Sequence, residues 1–531
     1  MKRIGKRGQR AFMMAAAVGV SACFATSKAL AYNDYLIDPT WTGTEGAAGT
    51  GADAGYLGVW NSPTEAFVTA STTLQGGSSA SNPNELFILP GTYNVGTSFL
   101  KFSHSNVDLI GVDSLTGNNS DVVITSTLDS LFNNGGGTIG TSNSATLMLT
   151  GNNVAVANLT IANSTDTPYI IGTAHAAESP TGTFTGVSQT SSDPAVALLS
   201  QGDDQVYTNV SILGYQDTLY LKGGRVLFQN STISGDDDMI FANATAVFNN
   251  DVINEDGNHN GGALTAASTD KRTSNGFVFM NSQITEGSVQ NSVIDPHGSA
   301  VSQSTINGWT AGNYTYYLGR PWGWQQAGGD SAVTYIDDAI DAKNLNASGW
   351  LNWDSNELNV SNGLNGGNPG EDSRFATYND VDTNNSNNPL NTSSYVSWSH
   401  SSTFNSAQAA MYTIPTIFSF DTSLPNGGWF GAGYSGSDKA PGSGLNNPDP
   451  NYSFPAFWGP RNIQNEENNE GAIQQNDPTS YSNPSWTQAG TFNPAIQLAT
   501  VPEPGTISLL GGAAVLTLTR RRRKTSTQIQ T

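Results

Sequence analysis

An all-β solenoid is the fold class that this 531-residue chain predicts, on three observations. The first is a recurring tetrapeptide: NLTI at Asn158, NVSI at Asn209, NSTI at Asn230, NDVI at Asn250 and NSQI at Asn281. The gaps of 51, 21, 20 and 31 residues reduce to one period of roughly 20 with insertions, the signature of stacked repeats. The second is the local texture, in which strand-like alternations such as VYTN and VLFQN run into Gly turns and abundant Asn, Ser and Thr. A β-sandwich would instead place hairpin turns every ~8–12 residues. The third is length: the stretch from Tyr32 onward is too long for one compact core but natural for stacked coils.

The N-terminal element is an address. MKRIGKRGQR is basic, AFMMAAAVGVSACFA is apolar, and ALA at Ala29–Ala31 supplies a cleavage site, so residues 1–31 read as a secretory signal peptide outside the fold. VSAC at Val20–Cys23 is the competing lipobox. If the cut follows Ala31, no cysteine remains and thiol chemistry has no part in the mechanism. Residues 32–430 form the predicted β-helix. Residues 431–500 are rich in Gly, Asn, Pro and Ser and read as a tether. Residues 501–524 close with VPEP, an apolar run from Ile507 to Leu518 and RRRRK. That run falls short of the ~20 residues that span a bilayer. The tripartite tail resembles a PEP-CTERM sorting signal, which implies a cell-envelope sorting machinery as partner and an exported, extracellular or surface location.

Six of the 21 Lys and Arg residues lie in the signal segment and five in the terminal basic block, whereas none of the 43 acids does, so the intervening chain carries about −33. Such a chain has no basic footprint for nucleic acid, which is excluded as a partner.

Within the repeat, ILGYQDTLYL reads as a strand interrupted by Gln216 and Asp217, and in STISGDDDMIFANA the acid Asp238 follows Asp217 by 21 residues, one period. Positions one coil apart stack at roughly 4.8 Å. Two carboxylates that close do not both ionise comfortably, and a protonated acid beside an ionised one is an acid–base pair in the making. Asp236–Asp238 as a solvated turn or a calcium site is the alternative that spacing alone leaves open. No G-x-S-x-G elbow, H-E-x-x-H or cysteine pair occurs, and the five histidines are scattered.

LGYQDTLY, ISGDDDMIFANA and YYLGRPWGW, in that order, resemble the motifs of the pectinesterase family. TSNSATLMLTGNNVAVANLTIANS, GFVFMNSQIT, DAKNLNASGWLNWDSN and WSHSSTFNSAQAAMYT agree in order too, so the resemblance runs from about residue 40 to about 430. It implies a right-handed parallel β-helix, an expected monomer, that hydrolyses methyl esters of galacturonate in pectin (methylesterified polygalacturonate) without a cofactor or metal. By the resemblance, Asp238 is the nucleophile, Asp217 the proton donor and then acceptor, Gln216 the oxyanion stabiliser and Arg320 the partner of the nucleophile. Trp322 and Thr141 are expected to bind substrate with Arg320.

Three departures stand out. Pro194 occupies the place of a Gln in the family's Q-A-V-A-L block, which removes one expected oxyanion donor; Met239 and Ala242 replace Phe and Gly beside the nucleophile; and Thr165–Asp193 is longer than the pattern. Two alternatives remain at this level: a β-helix lyase or hydrolase that cuts the polygalacturonate backbone, and a non-catalytic surface-displayed carbohydrate binder or adhesin.

Overall fold

The structure, a computed structural model, describes residues 34–418 apart from 70–72, 80–82, 97, 113–120, 133–134, 166–193, 257–261, 270–272, 287–314, 323–330, 352–372 and 396–401. The stretches expected to be signal, tether and tail, 1–31, 431–500 and 501–524, lie outside the described residues.

The strands form three long sheets of twelve, ten and seven strands. Each coil contributes one short strand to each sheet in turn. Gln205–Thr208 joins the twelve-stranded sheet, Ser211–Leu213 the ten-stranded sheet and Leu219–Leu221 the seven-stranded sheet; Arg225–Gln229 then returns to the first. Their ladders are parallel, apart from one short antiparallel edge pair, Val381–Asp382 with Asn388–Pro389. The chain is a right-handed parallel β-helix, the hand that parallel crossovers adopt almost without exception.

The recurring tetrapeptide marks one corner of the coil. Asn158, Asn209, Asn230, Asn250 and Asn281 all adopt positive φ, between 51° and 60°. They stand between the twelve- and ten-stranded sheets, where the chain turns sharply, and Asn tolerates this left-handed conformation better than most residues. The side chains also stack: Asn209 Nδ2 donates to Asn158 Oδ1 at 2.8 Å and Asn250 Nδ2 to Asn230 Oδ1 at 2.5 Å. The next position points inward and forms a second column. There Ser231 N–H donates to Asp251 Oδ1 (2.7 Å), Ser282 N–H to Asp338 Oδ1 (2.6 Å) and Asp338 N–H to Asp380 Oδ1 (2.9 Å). Burial raises all three carboxyls, Asp380 to about 8.

Inward residues of the twelve-stranded sheet fill the bore. Tyr207, Phe228, Phe248, Phe279 and Tyr335 form a near-parallel ring stack with centroids 4.6–5.0 Å apart, the spacing that in-register parallel strands impose. Outward residues of the same strands, Val206, Leu227, Val247 and Val278, form an apolar stripe packed against Phe404, Tyr412, Ile417 and Phe418. The last three lie on the C-terminal helical segment, within which Asn405 and Gln408 make a reciprocal capping box. Buried Arg225 ties this cover down by donating to the Phe418 carbonyl (3.0 Å) and to both oxygens of Asp203.

Candidate active site

The seven-stranded sheet carries the acids. Leu219 pairs with Ile240 in register, so Asp217 stands one coil from Asp238 at the same position of the repeat. Both residues sit at the corner entering this sheet with positive φ, 61° and 48°, and the Asp217 N–H donates to the Asp237 carbonyl at 3.0 Å. Each is only 8% exposed, and Asp236 is fully buried, so the Asp236–Asp238 run is not a solvated turn. Among the described residues, no group of three or more His, Cys, Asp or Glu is arranged to hold a metal ion.

Arg320 arrives from two coils further on. The outward positions Tyr220, Phe241, Ala266 and Arg320 are in register on successive strands, and Ala263 follows Asp238 in the next coil. Two alanines at these places leave room for the guanidinium to reach back over roughly two strand spacings, about 10 Å. It does so as a fork, with Nε donating to Asp238 Oδ1 at 2.6 Å and Nη2 donating to Asp238 Oδ2. The same Nη2 lies 3.5 Å from Asp237 Oδ2.

Electrostatics separate the two acids. Burial, then the charges of Asp238 and Asp237, push the Asp217 carboxyl well above its usual range, and Arg320 opposes this only from a distance. Burial and Asp237 also raise Asp238, but the Arg320 fork limits the rise to about 7. The Arg320 fork favours the ionised Asp238, and burial and a second acid offset much of that attraction. Asp217 is therefore the proton holder of the pair and Asp238 the member that ionises first.

Around the acids lies an apolar floor. Strand alternation turns Leu219 and Leu221 into the bore and Tyr220 outward. Tyr220 stacks on Phe241 (centroids 4.3 Å), and Phe241 meets Trp322 at 6.0 Å. Lys222 Nζ lies 5.7 Å from the centre of the Tyr220 ring. Thr141 opens a short 3-10 turn, Thr141–Ser144, whose Ser142 hydrogen-bonds the Tyr220 side chain, so Thr141 is carried to this floor. Gln216 is 5% exposed, immediately before Asp217. All six residues singled out from the sequence thus belong to this seven-stranded sheet or its adjoining corners. Tyr220, Phe241, Lys222 and Asp237 were not singled out, although alternation about Leu219 and Ile240 marks the first two as outward aromatics.

The three departures have distinct structural settings. The Pro194 carbonyl accepts from Ser130 N–H at 2.8 Å, and Ala195 N–H donates to the Gln216 carbonyl at 3.2 Å, so the segment is fixed beside Gln216 even though Pro offers no side-chain donor. Met239 is wholly buried in the bore. Ala242 has a φ of 88°, a conformation that glycine adopts freely and alanine does not. Of Thr165–Asp193, only Thr165 lies among the described residues.

A parallel β-helix with a buried carboxylate pair, one member forked by an arginine, beside a largely buried aromatic floor is the class of molecule that fold and site define. The pectinesterase family model matches residues 139–419, and the chain belongs to the pectinesterase family. The match begins later than the motif resemblance, at 139 rather than about 40. A pectinesterase of Ralstonia solanacearum is 35% identical over 186 residues, covering 34% of this chain and 38% of that protein. Pectinesterase A of Dickeya dadantii (strain 3937) is 29% identical over 265 residues, covering 48% and 62%. The matched stretches thus span less than two thirds of those relatives' own lengths. A solved pectin methylesterase from Erwinia chrysanthemi aligns with a TM-score of 0.49 and 24% identity over 73% of this chain and 96% of its own.

Proposed function

We propose that this protein is a pectin methylesterase that hydrolyses the methyl esters of galacturonate in pectin, releasing methanol and leaving carboxylates on an uncut polymer. The observation that carries the reading is the asymmetry of the stacked acids: of the two, Asp238 receives the bidentate Arg320 fork, while Asp217 is buried one coil away without it. Nucleophile and proton donor are thereby differentiated by environment.

Asp238 carboxylate attacks the C6 carbonyl, and the amide of Gln216 donates to the oxyanion. Collapse breaks the bond to the methoxy oxygen, which takes the proton of Asp217 and leaves as methanol. The resulting Asp217 carboxylate removes a proton from water, which attacks the acyl-enzyme anhydride. The product acid departs, Asp238 is released as carboxylate and Asp217 is again protonated. Tyr220, Phe241, Trp322 and Thr141 bind the sugar chain. The N-terminal pattern directs the protein out of the cell, and the C-terminal tail addresses it to envelope sorting machinery.

The test is methanol release from highly methylated polygalacturonate by wild type, Asp238→Ala, Asp217→Asn and Gln216→Ala. Wild-type release without chain shortening and unaffected by a chelator is expected. Asp238→Ala should fall to background, Asp217→Asn by about 10²–10⁴-fold and Gln216→Ala by about 10²–10³-fold. A folded wild type that releases no methanol refutes the esterase, and chain shortening would favour a backbone-cutting enzyme.

A further inference from the structure

Asp237 is a charged residue that the proposed reaction does not use. It is buried, 7% exposed, directly before Asp238. Its backbone N–H is held by Asp236 Oδ1 at 2.6 Å. Its own Oδ1 accepts from the Ala263 N–H at 3.1 Å, and its Oδ2 faces Arg320 Nη2 at 3.5 Å. That nitrogen also donates to Asp238 Oδ2. One guanidinium therefore serves two adjacent carboxylates, and a third, Asp217, stands one coil away.

We propose that Asp237 is a positioning residue, which holds the Arg320 guanidinium jointly with Asp238 and sets the pH window in which the Asp217–Asp238 pair works. The kinetic consequence rests on the esterase reading; the electrostatic one does not. Two effects follow from the geometry. Anchored by Ala263, the Asp237 carboxylate steadies Nη2, and so the plane of the fork that Asp238 receives. Its charge also lies close to both acids and opposes ionisation of each, in agreement with the causes of their raised values.

The groups that face the pair are Arg320 from the strand two coils on, Asp237 from the corner itself and Tyr220 from the strand that follows Asp217. Arg320 is the cation in direct contact with Asp238. Its charge is divided between two carboxylates, so each is compensated less than it would be alone. Activity requires Asp238 ionised and Asp217 protonated, so the acid limb of the rate profile follows Asp238 and the alkaline limb follows Asp217. An added negative charge moves both limbs upward.

The experiment is the pH profile of kcat/KM for wild type, Asp237→Asn and Asp237→Thr. Asn retains an oxygen for the Ala263 N–H, removes the charge and sets an amide NH2 where Oδ2 faced Arg320; Thr is a second uncharged replacement should Asn fold poorly. Both limbs should move to lower pH by about one unit, with Asn retaining the higher kcat of the two because its oxygen still meets Ala263. Limbs that stay in place, or that move upward, overturn the proposal whatever happens to kcat, since loss of packing alone lowers rate without moving both limbs together. Carboxyl ¹³C titration of Asp217 and Asp238 in wild type and Asp237→Asn reads the same shift without turnover. It therefore tests Asp237 even if wild type releases no methanol, and unchanged titrations overturn the proposal there too.

Discussion

Single residues in left-handed conformations place the corners of this helix and its chemistry. The Asn column spends a tolerated but uncommon conformation at each turn and recovers side-chain hydrogen bonds along the stack. Asn230→Ala should destabilise the fold by about 1–2 kcal/mol, the scale of the left-handed penalty for an ordinary residue, as read by denaturant unfolding. Asp217 and Asp238 use the same conformation at another corner, where it is compatible with carboxylates as it is with amides. Ala242 is the exception, because a methyl group at a φ of 88° has no such tolerance. Ala242→Gly should therefore raise stability by roughly 0.5–1 kcal/mol, and an unchanged or lowered denaturation midpoint would count against a strained site.

At the scale of elements, stability comes from columns in register rather than from any one strand. Phe248 has ring partners on both sides, Phe228 and Phe279, and is wholly buried. Phe248→Ala should cost about 3–5 kcal/mol, and Phe248→Leu distinctly less, because it refills much of the volume. Equal losses for the two would mean that ring stacking, not volume, dominates. The repeated tetrapeptides made this packing legible, since each fixes where a coil turns. The C-terminal cover was less so. WSHSSTFNSAQAAMYT was recognisable as a segment, but nothing local says that it and the helix after it, Ile414–Phe418, lie over Val206, Leu227, Val247 and Val278, or that Arg225 would reach Phe418 across 193 residues.

Two consequences belong to the whole molecule. Asp251, Asp338 and Asp380 have carboxyls raised by burial, as do the two site acids. A raised folded value means that folding takes up protons. The associated stability is complete below the unfolded carboxylate range near pH ~4 and is lost as pH rises through about 8, the value for Asp380. Thermal midpoints should accordingly fall between pH 5.5 and pH 9, and Asp380→Asn should flatten the decline; a flat wild-type profile would refute this. The net charge near −33 between the terminal segments should disfavour de-esterified, polyanionic chains. Neutral, highly methylated substrate is then turned over faster at low salt, with the difference shrinking as salt screens it. Equal turnover on both substrates at low salt would exclude that effect.

By itself the sequence determined the period, the recurring Asn positions and the one-coil spacing between Asp217 and Asp238. Each of these is a local pattern repeated at the length of one coil, and in a parallel stack sequence distance equal to one coil becomes spatial adjacency. Arg320 and Trp322 were legible through their motif, but not their geometry: 82 residues and coils of unequal length separate Arg320 from Asp238. Tertiary structure alone decided that the fork closes on Asp238, that Asp237 shares it, and that Asp238 titrates near neutrality instead of staying low. Those outcomes depend on burial and on charges brought together from different coils, and insertions of variable length erase the spacing from which they could have been read.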